Sequence, residues 1–273
     1  MHPRLCVSAV SSYGWTLDQD LTFWEDAGID RVGLSLRKVD DAGFDRAVAR
    51  VRDAGLTVVN VGEIRWFQLD RREQWPNQRD RVRRAVALAG ATGAGVIVLV
   101  SGPAGPLSPE DAAAALAEAL EPVMADARAA STVFALENTN PRRTDYSFVT
   151  SLGDAAVRAA ALGVAVCVEL NSCWQESGVE DALRAIAPTA ALVQVNDAVA
   201  AAPSDMTPDR RVPGDGEVPL PRLIQALVDG HYAGMFDLEF VGPAIEAEGY
   251  ASAIRRSLTY LDALLDTAMR TSP

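Results

Sequence analysis

Eight short runs of β-branched and aliphatic residues alternate along this chain with segments whose apolar positions recur at helical spacing. Repeated strand-then-helix units wind around a parallel sheet, and eight of them are enough to close that sheet on itself. Strands are expected at Leu5–Val10, Arg31–Leu36, Thr57–Val61, Gly95–Val100, Thr132–Glu137, Ala165–Glu169, Leu192–Asn196 and Met235–Glu239. Helices are expected at Leu17–Ala27, Ala42–Ala54, Asn77–Thr92, Pro109–Ala130, Tyr146–Leu162, Glu176–Ile186, Leu220–Val228 and from Glu246 to about Ala268. Gly28, Gly55 and Gly163 follow predicted helices, where glycine ends a helix in a left-handed conformation, so they mark the bottom of the barrel. The fold class is therefore α/β, a (β/α)8 barrel. With 273 residues and no composition shift or Pro/Ser-rich linker, residues 1–273 read as one domain.

In this architecture chemistry sits at the C-terminal ends of the strands. Glu137, Glu169, Gln194 and Glu239 all fall there, at the ends of the last four predicted strands. Three carboxylates crowded at one mouth repel one another, so some are protonated or something positive sits among them. A divalent cation resolves the repulsion. Three carboxylates and an amide oxygen form a hard donor set without imidazole or thiolate, which suits Mn²⁺ or Mg²⁺ better than Zn²⁺. The two histidines offer no help to zinc: His2 is terminal and His231 precedes the last strand, at the opposite end of the barrel.

Composition removes several function classes. A net charge of −12 argues against nucleic-acid partners, which are met by a basic face. No apolar run reaches the length of a spanning helix, and the N-terminus has no basic stretch ahead of an apolar core, so no membrane partner is expected. Cys6, Cys167 and Cys173 are odd in number and lack paired spacing, as expected in a reducing, cytoplasmic setting. Abundant Ala and Arg with scarce Lys suggest GC-rich, bacterial coding. Lys38, the only lysine, lies far from the other polar groups.

The segments Leu136-Glu137-Asn138, Val168-Glu169-Leu170-Asn171, Gln194-Val195-Asn196-Asp197, Pro213-Gly214-Asp215-Gly216 and Leu238-Glu239 resemble the xylose-isomerase-like barrels. That superfamily includes sugar epimerases and isomerases, inosose dehydratase, 3-dehydroshikimate dehydratase and zinc endonucleases of abasic DNA. The resemblance implies that Glu137 and Glu239 hold the metal and carry or relay the proton. Glu169 stands where Asp is usual, and Gln194 where His is usual, a replacement that dehydratases acting on 3-dehydroshikimate share. Ser172 stands where many members place a substrate-contacting His. The endonuclease alternative lacks the histidine-rich centre it requires.

The expected function is divalent-metal-dependent isomerisation or epimerisation of a small polyhydroxylated carbonyl compound, by proton abstraction next to the carbonyl. Glu137 and Glu239 are the candidate catalytic residues, with Tyr146, Asp197 and metal-bound water as further acid/base groups. Dehydration, and a non-catalytic barrel serving as a binding or regulatory subunit, stay open as alternatives. The resemblance implies a cationic substrate contact in the loop after the seventh strand, assigned to Arg211. Asp197 follows the Gln194 strand end, and Trp15, Trp66 and Trp174 follow the first, third and sixth strands as an apolar wall for substrate. The long segments Gly62–Pro76 and Asp197–Pro219 are lid candidates. Gly214-Asp215-Gly216 reads as a turn, or more weakly as a phosphate cradle. Barrels of this kind commonly pack into symmetric homo-oligomers, and assembly stays open.

Overall fold

Strand side chains alternate between two faces, and in a closed sheet both faces are buried: one looks into the barrel, the other onto the helices. The computed structural model describes residues 1–64, 66–200 and 209–271. Its strands are β1 (Leu5–Ser8), β2 (Arg31–Ser35), β3 (Thr57–Gly62), β4 (Val96–Leu99), β5 (Val133–Glu137), β6 (Ala165–Glu169), β7 (Ala190–Val195) and β8 (Met235–Leu238). They close into a parallel barrel in chain order, β8 returning to pair with β1 through Leu5 opposite Phe236 and Val7 opposite Leu238. The predicted (β/α)8 architecture is the one observed.

The large core lies between strands and helices, where Leu5, Val7, Val32, Leu34, Ile97, Leu99, Phe134 and Leu136 meet helical residues such as Trp24, Leu116 and Leu265. A smaller apolar cluster of Val96, Val98, Ala135, Cys167 and Leu192 fills the barrel interior. Above that plug the interior turns polar. Asp237 accepts from the Cys6 thiol (3.2 Å) and from the Asn60 amide (3.0 Å). Gly33 makes room for that amide, since a Cβ there would lie 2.8 Å from the Asn60 side-chain nitrogen and oxygen.

Helix ends follow local chemistry. The helix Leu17–Ala27 begins at a capping box in which the Thr16 hydroxyl and the Gln19 side chain satisfy each other's backbone, and it ends at Gly28 (φ 65°). The predicted helix Ala42–Ala54 is observed as Phe44–Asp53, and a separate, unpredicted helix Leu36–Ala42 precedes it across the break at Gly43 (φ 83°). The predicted start at Tyr146 moves to Leu152, because Ser151 is the residue whose hydroxyl accepts from a helix N–H, that of Asp154. Tyr146 is thereby released into the loop at the barrel mouth. The C-terminal segment divides at Gly249 into Pro243–Glu248 and Tyr250–Thr271. No described helix is long and apolar enough to cross a membrane. Beyond β7, Asp197–Ala198 pairs with Arg210–Arg211 as a short antiparallel ribbon. Residues 201–208 of the Asp197–Pro219 lid candidate, and Arg65 of the Gly62–Pro76 candidate, lie outside the described residues.

Candidate active site

Register sets the floor of the site. Glu169 pairs with Gln194 across β6 and β7, Glu137 closes β5, and Glu239 follows β8 directly. All four line one cavity at the C-terminal mouth. Gln194 Nε2 donates to Glu239 Oε2 at 3.0 Å, and Glu137 lines the same cavity floor. Ser8 Oγ adds a longer contact to Glu239 Oε2 at 3.3 Å. Glu169 is held from three sides: Asn196 Nδ2 (3.0 Å) and the Asn171 N–H (2.9 Å) reach its Oε1, and the Asn138 amide bonds its backbone N–H and C=O.

Crowding and burial shift these carboxyls together. Burial, then the neighbouring Glu169, pushes Glu137 up to about 8, with Arg210 and the Gln194 amide opposing. Burial raises Glu239 well above the usual carboxylate range, reinforced by Glu137, Asp237 and Glu169. Glu169 is also raised by burial, against Arg210 and its hydrogen bonds. Without added positive charge the cluster therefore keeps protons at neutral pH.

Two buried polar atoms here lack a partner, Gln194 Oε1 and Asn196 Oδ1, and such orphans are uncommon enough to need a reason. Among the described residues no three His, Cys, Asp or Glu side chains close around a common point. The Gln194 amide donates to Glu239, with Glu137 and Glu169 lining the same cavity. Turned over, it presents Oε1 beside three carboxylates, an all-oxygen set that fits a hard divalent cation in donor type and charge.

The walls differ in part from the sequence reading. Trp66 and Trp174 line the cavity, and Trp66 stacks edge-on against Tyr146 with centroids 4.5 Å apart. Burial, then Glu137 and Glu239, pushes the Tyr146 phenol up, so it stays a protonated donor. Trp15 does not line the cavity. It packs between Phe23 (5.4 Å) and Tyr250 (5.5 Å), because β1 stops at Ser8 and the 3-10 turn Ala9–Ser12 leads the chain outward.

Asp197 is not at the substrate face either. Its carboxylate accepts from the backbone N–H groups of Gly214, Gly216, Val218 and Ala198 at 2.8–3.0 Å. The Gly214 and Gly216 amides thus cradle an internal carboxylate rather than a phosphate, and a Cβ at Gly216 would fall 2.2 Å from Asp197 Oδ1. Arg211 turns away to pair with Asp209. Its neighbour Arg210 lines the cavity instead, its Nε and Nη1 reaching the Asn171 amide oxygen at 2.8 and 3.0 Å with that amide turned to satisfy both groups. The sequence reading missed Arg210, Asn171, Asn196 and Glu63. Of these, Asn171 and Asn196 carried a signal, each lying two residues past a strand-end ligand candidate.

The model of the family described as xylose isomerase-like TIM barrel matches residues 21–263. No curated protein sequence matches the chain. Among solved structures, the chain is similar to protein SMc04130 from Sinorhizobium meliloti 1021, with TM-score 0.81, 22% identity, and coverage of 94% of this chain and 96% of that one. An IolI protein with a bound zinc atom gives TM-score 0.82 at 15% identity, covering 97% and 99%. D-Psicose 3-epimerase with D-tagatose, from Clostridium cellulolyticum H10, gives 0.72 at 15% identity, covering 98% of each.

Proposed function

The chain belongs to the xylose isomerase-like TIM barrel family, and from that premise we propose that it is an isomerase or epimerase, dependent on Mn²⁺ or Mg²⁺, that moves a proton beside a carbonyl of a small polyhydroxylated substrate. The observation that carries this reading is the pair of carboxyls Glu137 and Glu239 on one cavity floor, Glu239 bound there by the Gln194 amide. Two carboxyls facing the same space, one ionised and one protonated, are what proton removal and return require.

Glu137, Glu169, Gln194 and Glu239 would hold the cation. When bound, it supplies Lewis acidity towards the substrate's carbonyl and hydroxyl oxygens. The protein's own groups move the proton. A glutamate whose proton affinity has been raised by burial is a stronger base once ionised, and Glu137 titrates near working pH. It takes the carbon-bound proton as the electron pair moves onto the carbonyl oxygen. Glu239, the second carboxyl on the cavity floor, returns a proton to the carbon skeleton. Arg210 and the Tyr146 hydroxyl face the same cavity and can hold the oxygen on which charge develops. Trp66 and Trp174 provide the apolar wall. The D-psicose 3-epimerase with D-tagatose supports a ketose as the substrate type.

The test is solvent exchange. Ketoses and inososes incubated with the protein and Mn²⁺ in deuterated water should gain deuterium beside the carbonyl, read by NMR. Glu137→Gln and Glu239→Gln should each slow incorporation roughly 100-fold or more. Turnover of a substrate without deuterium incorporation contradicts proton abstraction. A conjugated, ultraviolet-absorbing product in place of an isomer moves the assignment to dehydration.

A further inference from the structure

The carboxylate cluster occupies one side of a cavity of about 1200 Å³, which exceeds the roughly 300–1,000 Å³ typical of small-ligand pockets. The other side has its own polar fittings. Around the ring, β3 is the fourth strand from β7 in either direction, so the residue following β3 lies diametrically across the mouth from Gln194. That residue is Glu63.

Glu63 sits in left-handed backbone (φ 56°), a conformation that glycine adopts freely and glutamate does not. Its carboxylate is gripped from behind, by the Ser35 hydroxyl at one oxygen and by Arg37 Nε (3.3 Å) at the other. Arg37 is fixed in turn by the Tyr13 carbonyl (3.1 Å) and by Asp41 (3.7 Å), with its guanidinium 4.6 Å from the Tyr13 ring centroid. Glu63, Arg37, Asp41 and Tyr13 all line the cavity. A turn needing only the backbone shape would be served by glycine, so a glutamate braced by two partners at this point is there for its side chain.

We propose that Glu63, with Arg37 behind it, is the specificity-determining pole of this site, and that it takes the hydroxyl groups at the far end of a neutral, unphosphorylated polyhydroxylated substrate. The proposal rests on the isomerase reading for what happens at the near end. Ionised carboxylates accept hydrogen bonds and donate none, so Glu63 suits hydroxyls and repels phosphate. Arg37 does not reverse that preference, because Glu63, Asp41 and the Tyr13 carbonyl already occupy it. Among the described residues, Arg81 uses its Nε on the Ile64 carbonyl, while Arg142 and Arg143 line the cavity from the loop after β5, Arg143 paired with Asp145. Asp40 and Asp41 also line this wall, paired with Arg84 and Arg37.

The experiment measures binding and exchange separately, with Mn²⁺ present, using ketohexoses and their 6-phosphate esters as probes. Saturation-transfer NMR should show a ketohexose binding at least tenfold more tightly than its phosphate ester. Glu63→Gln, which preserves size, should weaken ketohexose binding about tenfold and reduce the discrimination against the ester. Mn²⁺ affinity and thermal midpoint should stay unchanged, and where exchange is measurable KM should rise with kcat within about twofold. Preference for the ester, absence of ketohexose binding, or binding unaltered by Glu63→Gln overturns the proposal. Glu63-dependent binding without deuterium exchange on any probe supports the pole and counts against the isomerase reading alone.

Discussion

Arg210 and Arg211 are adjacent, yet only one of them belongs to the site. They form one strand of a two-residue ribbon, so their side chains leave on opposite faces: Arg210 towards Asn171 and the carboxylates, Arg211 back to Asp209. A ribbon this short leaves no hydrophobic alternation in the sequence to say which arginine faces inward, and the family resemblance alone assigns the contact to Arg211. Arg210→Ala should lower kcat/KM roughly 10- to 100-fold, the equivalent of about 1.5–3 kcal/mol for a hydrogen bond to a charged group. Arg211→Ala should stay within about twofold. The reverse order would return the substrate contact to Arg211. Asp197 was misplaced for a related reason: its role depends on Gly214 and Gly216, which only the folded loop brings to it.

Strand identity was legible because each β-run is short, apolar and bounded by turn residues. The four strand-end residues are therefore legible as a set in the sequence. Element ends were harder. The loop carrying Tyr146 was read as helix because its residues do not oppose helix formation, and Ser151 becomes decisive only through a hydrogen bond. Lys38 shows a similar gap. It sits on the unforeseen helix Leu36–Ala42 and donates to Asp20 Oδ2 at 2.6 Å, to the Ser12 carbonyl at 2.9 Å and to the Ser12 hydroxyl at 3.1 Å. This buried pair ties the helix Leu17–Ala27 to Leu36–Ala42 beneath the Arg37–Glu63 pole. Lys38→Met leaves Asp20 buried without its ammonium, which should cost about 3–5 kcal/mol near neutral pH in urea unfolding. Asp20 is pushed by burial to about 6 even with Lys38 present, so the loss should shrink towards pH 5 as Asp20 takes a proton. Adding Asp20→Leu should recover most of it. A loss under about 1 kcal/mol at pH 7.5 would show that the pair does not brace these elements.

At the scale of the whole molecule, the raised carboxyls make stability depend on pH. Glu137 binds its proton more tightly folded than unfolded, at about 8 against an ordinary 4.5. Its contribution is fully present below about pH 4.5, falls as pH rises because the unfolded chain releases the proton first, and is gone above about pH 8. Glu239, Glu169 and Asp237 are raised as well and act in the same direction. A divalent cation held as proposed should invert this trend, since it would compete with those protons and bind the folded state. The most direct test is the thermal midpoint measured from pH 5 to pH 9 with and without Mn²⁺. The metal-free midpoint should fall across that range. Mn²⁺ at about 100 times its dissociation constant should contribute about 2.7 kcal/mol at pH 8, roughly 5–10 °C for a chain of this size, with little effect at pH 5 and little in Glu239→Gln. A midpoint unmoved by Mn²⁺ at pH 8, or moved equally in Glu239→Gln, would contradict a cation site built from these four strand ends.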